Sequence, residues 1–334
     1  MKLRGPDYKD KDPQSSLDDF KARVKAYESA YVPLGAFEKS KGMQYIKMID
    51  VGREVNLFNL QGFLPSGIAH YLTSFNLAPR QIWMTRHGQS LDNLETRIGG
   101  DSTVTEEGRH YSTVLYNFID KKRHAWEAEQ KQRVYEAAHA ASPLQPGDQT
   151  PPYPDTSELD EKNFCVWTSM LQRSIQTAEP FEEDENYDVK AWEMLNELDA
   201  GTFEGMTYSE IAEKYPEEYA KRKADKLNYI YPGVGGEGYL QVIARLRPMI
   251  NEIERIKDHV LIIGHRSVCR VLMAYFMDLT KDDIADLDVP LGMLYSIEPK
   301  PYGLEFHAYK YNEENYDFDE LPGYMPQRAT KHTP

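Results

Sequence analysis

Two histidines in this chain stand where an apolar run stops. His87 follows Ile82-Trp83-Met84-Thr85-Arg86 and precedes Gly88, and His265 follows Val260-Leu261-Ile262-Ile263-Gly264. Both runs have strand character. Each imidazole therefore falls at the carboxyl edge of a sheet, where open α/β folds bind ligands. Arg86 adds a fixed positive charge, and Gly88 lets the backbone turn sharply and approach a ligand closely. Asn93, Arg97, Gly99 and Gly100 follow, residue types suited to an anion-binding loop. A helix starting directly after His265 would point free N–H groups at the same spot, which favours an anion. If the two strands are neighbours, both imidazoles meet above one sheet edge. The chemistry would be phosphoryl transfer with His87 as nucleophile, since imidazole attacks in its neutral form and much of it is neutral near pH 7.

Two further stretches fit that chemistry. In Trp167-Thr168-Ser169-Met170-Leu171-Gln172-Arg173 a strand again ends and a helix begins, placing Arg173 in the first turn. Arginine holds phosphate through planar bidentate hydrogen bonds. Asn196-Glu197-Leu198-Asp199-Ala200-Gly201 offers the Glu197 carboxyl for proton transfer. To act as an acid it must carry a proton, and a nearby phosphate anion would raise its pKa. Arg222 and Lys226 are four apart and on a helix would share one face, a clamp for a second phosphate. Each residue has a plainer meaning alone: a structural histidine, a solvated helix arginine, a surface acid, a basic face. The repeated strand-end context is what joins them.

The elements that must position these groups can be read from periodicity. Leu17, Phe20, Val24, Tyr27 and Tyr31 mark a helix with one apolar face, capped by Ser16 and ended by Pro33. A strand at 45–51 and a helix at 63–75 follow. Residues 1–78 thus hold about one strand and two helices, too little for an independent core. From Pro79 strands and helices alternate: strand 82–86, a helix capped by Thr105, strand 164–168, helix 169–179, helix 240–257, strand 260–264, helix 268–277, strands 293–297 and 304–309. Residues 121–160 read as an insert, helical and charged at first, then crowded with proline. Residues 313–334 read as a polar, flexible tail. The pattern implies an α/β fold with a mainly parallel central sheet flanked by helices.

Composition narrows the partners. The 334 residues carry a net charge of −15, which argues against general binding of nucleic acid or anionic membrane. An acidic protein that binds a polyanion must gather its few cations into one pocket. No apolar run reaches about 18 residues, and the start lacks the apolar stretch of a secretory signal. The two cysteines, Cys165 and Cys269, each lie in an apolar run and read as reduced core residues of a cytoplasmic protein. Neither is spaced for zinc, and no metal or other cofactor is expected.

The motifs Arg86-His87-Gly88, Arg173-Ser-Ile-Gln-Thr-Ala-Glu179, Asn196-Glu197-Leu-Asp-Ala-Gly201 and Gly264-His265 resemble the signature set of the histidine phosphatase, or phosphoglycerate mutase-like, superfamily. Arg97-Ile-Gly-Gly-Asp-Ser102, Val166-Trp-Thr-Ser169, Tyr215-Pro-Glu-Glu-Tyr219 and residues 47–52 narrow the resemblance to the phosphatase half of the 6-phosphofructo-2-kinase/fructose-2,6-bisphosphatase family. It covers nearly everything from about residue 5 to 312 except the insert. It implies the three-layer phosphoglycerate mutase-like fold and a 2-phosphatase acting on fructose 2,6-bisphosphate through phosphohistidine. By the same resemblance, His87 would be the nucleophile. Arg86, Arg173, Asn93 and His265 would bind the phosphoryl oxygens. Glu197 would be acid and then base. Gly99, Tyr208, Arg222, Lys226, Tyr239 and Arg270 would hold the sugar and its 6-phosphate. Residues 1–78 resemble the end of the kinase half, with Arg23 and Tyr27 at positions that touch fructose 6-phosphate there. The phosphatase domain would then be 79–312.

Three departures stand out. Gln89 replaces the usual glutamate. Arg266 replaces a glutamine that helps bind substrate, putting an extra cation among the substrate-binding residues. The stretch 232–239 is longer than the family pattern, which leaves Tyr239 open. No Gly-x-x-x-x-Gly-Lys-Ser/Thr loop occurs anywhere, so ATP has no cradle and no kinase activity is expected. Alternatives are a histidine phosphatase or mutase for another phosphoester, and a regulatory protein that binds without turnover. A second copy of the chain or a kinase-bearing partner is the expected protein partner.

Overall fold

A computed structural model of the chain describes residues 12–49, 54–74, 76, 79–140, 162–300 and 303–326. The proline-rich part of the expected insert, most of the expected loose start and the last eight residues lie outside these. The chain divides into two compact units, Met1–Thr73 and Ser74–Pro334.

The first unit holds helix α1 (Pro13–Ala30), a short helix α2 (Ala36–Ser40), strands β1 (Tyr45–Ile49) and β2 (Glu54–Phe58), and helix α3 (Phe63–Ser74). Asp12 caps α1, not Ser16: its carboxylate accepts the Ser15 N–H at 2.8 Å, and Pro13 fills the first helical position, where no N–H is needed. β1 and β2 form an antiparallel hairpin with Tyr45 opposite Phe58, their rings stacked at 5.4 Å. The second strand and α2 were not legible in the sequence. The expected apolar face of α1 is exposed toward its C-terminal end, where Tyr27 is 74% and Tyr31 69% exposed, while Leu17 and Phe20 are half-buried. Among the described residues of this unit only Ser16, Tyr45 and Ala69 are buried, so it has no core of its own.

The second unit is built on β3 (Ile82–Arg86), with a short helix α4 (Leu91–Leu94) and a long helix α5 (Glu106–Ala140) after it. There follow β4 (Phe164–Thr168), α6 (Gln172–Glu182), β5 (Tyr187–Ala191), α7 (Tyr208–Lys214), α8 (Pro216–Ala224) and α9 (Tyr239–Arg255). β6 (His259–Gly264), α10 (Arg266–Phe276), α11 (Lys281–Ile284), β7 (Met293–Lys300), β8 (Gly303–Asn312) and β9 (Asp317–Glu320) complete it. The strands form one sheet in the order β5-β4-β6-β3-β7-β8-β9. The first four run parallel, and β7, β8 and β9 extend the sheet antiparallel from β3.

The three central strands β3, β4 and β6 are buried at every residue, as strands covered on both faces must be. Their side chains alternate between two apolar layers. Trp83, Val166, Leu261 and Ile263 pack with α5 and α6 residues such as Leu115, Phe118 and Phe181. Ile82, Met84, Trp167 and Ile262 pack with α9 and α10 residues such as Val242, Leu246 and Leu272. This is a three-layer α/β fold. A smaller apolar cluster, Ala200, Phe203, Ile211 and Tyr231, ties α7 to the loops on either side of it.

Three expectations are corrected here. The helix begun by Thr105, whose hydroxyl accepts the Gly108 N–H at 3.1 Å, runs without a break into the helical first part of the expected insert, to Ala140. Trp126 is buried with its ring edge-on to His259 at 4.4 Å, so the first part of the expected insert belongs to the fold. The expected flexible tail contains β9, whose Phe318 is buried beside Tyr111 and Phe118 while Asp317 and Asp319 flank it along the strand. Leu321 and Tyr324 also pack on the core. β5 was likewise missed, and α6 starts and ends three residues later than expected.

Candidate active site

Parallel pairing of β3 with β6 sets Arg86 opposite Gly264, and the pairing continues one step as the His87 N–H donates to Gly264 O at 3.1 Å. The two strands therefore end together. The His87 and His265 rings lie 5.0 Å apart, both buried. Gly88 serves packing more than ligand approach: a Cβ there would sit 2.5 Å from the backbone oxygen of Gly108 in the first turn of α5.

The protonation pattern of His87 follows from its neighbours. Nδ1 lies 2.7 Å from the Gly88 carbonyl oxygen. A carbonyl can only accept, so Nδ1 carries the hydrogen and the lone pair is on Nε2. Burial, then the proximity of His265, Arg173 and Arg86, holds the His87 pKa well below the ordinary histidine value. The imidazole is neutral at physiological pH. His265 is held neutral in the same way, by burial and then by Arg173 and Arg86. Its Nε2 is 2.7 Å from the Ser169 hydroxyl, and its buried Nδ1 has no partner among the described residues.

Twelve of the thirteen expected site residues line a single cavity of about 180 Å³; the thirteenth, His265, is buried with its ring 5.0 Å from that of His87. Arg86, Arg173, Arg266 and Asn93 line the cavity with His87. Arg173 enters from the start of α6 and donates to Gly100 O at 2.7 Å. Asn93 commits its Oδ1 to the Ser90 N–H at 3.1 Å, which leaves its two amide donors for an anion. Burial and the adjacent Arg266 lower the Arg86 pKa to about 10, so it keeps its charge near neutrality. Arg266 Nε is buried with no partner among the described residues. Gln89 turns away to accept the Thr105 hydroxyl at 3.0 Å and does not line the cavity.

Glu197 accepts four hydrogen bonds among the described residues. Its Oε1 accepts the Leu198 N–H at 2.9 Å, the Ser267 N–H at 3.2 Å and the Ser267 hydroxyl, and its Oε2 accepts the Arg266 N–H at 3.1 Å. Burial pushes its pKa up, but Ser267, the Leu198 amide, Arg173 and Arg86 together outweigh that and bring it below the ordinary value. The carboxyl is therefore ionised when the cavity holds no phosphate. Sequence reasoning considered only the phosphate and not the donors at the start of α10.

Also lining the cavity, Arg222 donates to the Tyr208 hydroxyl at 2.7 Å and lies over its ring. Arg270 donates to the Tyr239 hydroxyl at 2.7 Å. The lengthened 232–238 stretch folds against residues 199–202, with Gly233 at φ +102° and Gly235 at φ +84°, and delivers Tyr239 buried into the site. Lys226 is corrected: α8 ends at Ala224, so Arg222 and Lys226 do not share a helical face, though both reach the cavity. Lys226 pairs with Asp286 at 2.8 Å. Gly99, at φ +68°, leaves no room for a Cβ beside the Glu204 carboxylate.

Sequence reasoning missed Ser169, Ser267, Tyr231 and Glu204, which act through partners distant in sequence. Ser169 had one signal, since it stands at a strand end as the histidines do. Among the described residues, no cluster of His, Cys, Asp or Glu is arranged for a metal ion, and no helix is long and apolar enough to cross a membrane.

Comparison with known proteins points the same way. Residues 156–312 match the histidine phosphatase superfamily (branch 1), and residues 1–79 match 6-phosphofructo-2-kinase. A probable 6-phosphofructo-2-kinase of Schizosaccharomyces pombe is 47% identical, over 96% of this chain and 51% of its own length. The 6-phosphofructo-2-kinase 1 of Saccharomyces cerevisiae is 48% identical, over 96% of this chain and 36% of its own. The human 6-phosphofructo-2-kinase/fructose-2,6-bisphosphatase 3 is 35% identical, over 94% and 52%. The chain thus spans about half the length, or less, of these relatives.

Proposed function

We infer the reaction from the premise that this chain belongs to the 6-phosphofructo-2-kinase/fructose-2,6-bisphosphatase family and carries its histidine phosphatase domain. The reading is a fructose-2,6-bisphosphate 2-phosphatase that works through a phosphohistidine at His87. What carries it is one cavity lined by six cations and a neutral, oriented imidazole: Arg86, Arg173 and Arg266, with Arg222, Lys226 and Arg270 set among tyrosines. A substrate with two phosphates fits such a cavity, and phosphoryl transfer depends chiefly on positioning and fixed charge.

In the first step the His87 Nε2 lone pair forms a bond to phosphorus as the bond to the C2 oxygen breaks. That oxygen leaves with the electron pair and takes a proton from Glu197. In the second step Glu197 takes a proton from water, the water oxygen attacks phosphorus, and the electron pair returns to Nε2. Arg86, Arg173, Asn93 and the unpaired Nδ1 of His265 hold the phosphoryl oxygens. Because Glu197 is ionised in the empty site, its proton for the first step must arrive with the substrate, whose phosphate charge favours the neutral carboxyl. Gly99, Tyr208, Tyr239 and the distal cations hold the sugar and its 6-phosphate.

The decisive experiment incubates the chain with fructose 2,6-bisphosphate labelled in the 2-phosphate. Acid-labile label on His87 and release of phosphate are expected; full activity in His87→Ala would end the proposal. The absence of a phosphate loop in the sequence makes kinase turnover by this chain unexpected, and the reading places it in the cytoplasm. A second reading, a regulatory lobe that binds sugar phosphate without turnover, draws on the names of the two fungal relatives, which mention only the kinase. The oriented nucleophile beside an acid–base carboxyl speaks against it, since binding alone needs neither.

A further inference from the structure

The hydrogen bonds on Glu197 are unevenly shared, and the unevenness has a chemical meaning. Each carboxylate oxygen offers about two lone-pair directions. Oε1 receives three donors: the amides of Leu198 and Ser267 and the Ser267 hydroxyl. Oε2 receives one, the Arg266 amide at 3.1 Å. We propose that Ser267 is a positioning residue that saturates Oε1 and so assigns proton exchange with the leaving oxygen and with water to Oε2. The inference rests on the phosphohistidine reading of the same site.

The consequence is directional. A proton placed on Oε1 would displace the Ser267 hydroxyl from its acceptor, whereas Oε2 can take one while every donor stays in place. In the second step the water proton goes to Oε2, and the water oxygen is aligned with the phosphorus on His87. Ser267 also favours the ionised carboxyl and so the base role. It therefore helps phosphoenzyme breakdown more than formation. Other charges act on Glu197 as well. Arg86 at the end of β3, Arg173 on α6 and Arg266 on α10 are cations near it, and Tyr239 and Arg245 approach from α9. Glu193, Asp199, Glu204 and Glu237 share a second cavity with it. None of these is altered by removing the serine hydroxyl, so a Ser267 variant isolates one contact.

The test compares the native chain with Ser267→Ala and Ser267→Thr. The Glu197 carboxyl is titrated by carbon-13 NMR, with its signal assigned by Glu197→Gln. Phosphoenzyme formation and breakdown are timed by rapid quench across pH. In Ser267→Ala, Glu197 should titrate at a higher pH than in the native chain. Breakdown at the acid end should slow about tenfold, as expected for loss of one hydrogen bond to a charged group. Formation should not slow. Ser267→Thr, which keeps the hydroxyl, should restore the native profile. Ser267→Cys, a weaker donor of similar size, should fall between and stands in if the alanine variant does not fold. Unchanged titration of Glu197, or an equal loss in both steps at every pH, would overturn the assignment. If the native chain takes up no label, the proposed reaction fails instead. The carboxyl titration, which needs no turnover, would still decide for or against Ser267.

Discussion

The two ends of the cavity are built differently. At the reacting end every group is fixed by the sheet or by a helix start. His87 and His265 follow paired strands, Arg173 begins α6, and Glu197 is held by the first residues of α10. At the distal end the groups come from α7, α8, the segment after it, the start of α9 and α10, and they are held largely by side chains. Arg222 rests on Tyr208, Arg270 on Tyr239, and Lys226 on Asp286. The first arrangement is set before ligand arrives. In the second, side-chain donors already have partners that a phosphate must share or displace. Chemistry should therefore fail almost wholly when the first end is altered, and binding should weaken by degrees when the second is.

Substitutions can test that contrast in order of size. His87→Ala removes the atom that bonds to phosphorus, so kcat should fall by at least about 10³-fold with little change in Km for a slow residual reaction, measured as phosphate release. Glu197→Gln keeps the shape but cannot exchange a proton; a fall in kcat of about 10²- to 10⁴-fold is expected. A Gln variant near native activity would mean that solvent or another group moves the proton. At the distal end, Arg222→Ala should raise Km about 10- to 100-fold with a smaller effect on kcat, because it removes binding common to ground and transition states. If kcat fell as far as Km rose, the two ends would not be separable.

The smallest effects sharpen the distinction most. Lys226→Ala should raise Km only a few-fold, since Lys226 is partly exposed and already paired. Asp286→Asn should act in the opposite direction and lower Km slightly, by freeing Lys226 for the ligand. The pH profile gives a further check. The His87 pKa is lowered, so the ring stays neutral and nucleophilic as pH falls through the ordinary histidine range near 6.5. Phosphoenzyme formation should show no loss between pH 7 and 6, and the acid loss should begin lower. A break at the ordinary value would mean that the ring is more solvated than its burial implies.

What could be read in the sequence follows the same physical divide. β3, β4 and β6 are legible because strands buried on both faces must be apolar throughout. Their ends carry His87, Thr168-Ser169 and His265, so the reacting end was legible with them. β5 and β9 were hidden because outer strands bury few side chains: β9 buries only Phe318 among acids. The α5 boundary was hidden because its charged continuation past residue 120 looks like surface, although Trp126 still anchors it. The ionised state of Glu197 was not legible because it depends on Ser267, 70 residues away, and on amides that exist only once α10 has formed.

The contact between Gly88 and Gly108 carries one more consequence. Neither glycine has room for a side chain: a Cβ on Gly88 would meet the Gly108 backbone oxygen at 2.5 Å, and a Cβ on Gly108 would meet that of Gln89 at 2.4 Å. Helix and nucleophile loop thus touch main chain to main chain, with no compressible layer between them. A shift of the α5 N-terminus toward the loop has nothing soft to absorb it, so the imidazole beside Gly88 is mechanically coupled to a 35-residue helix.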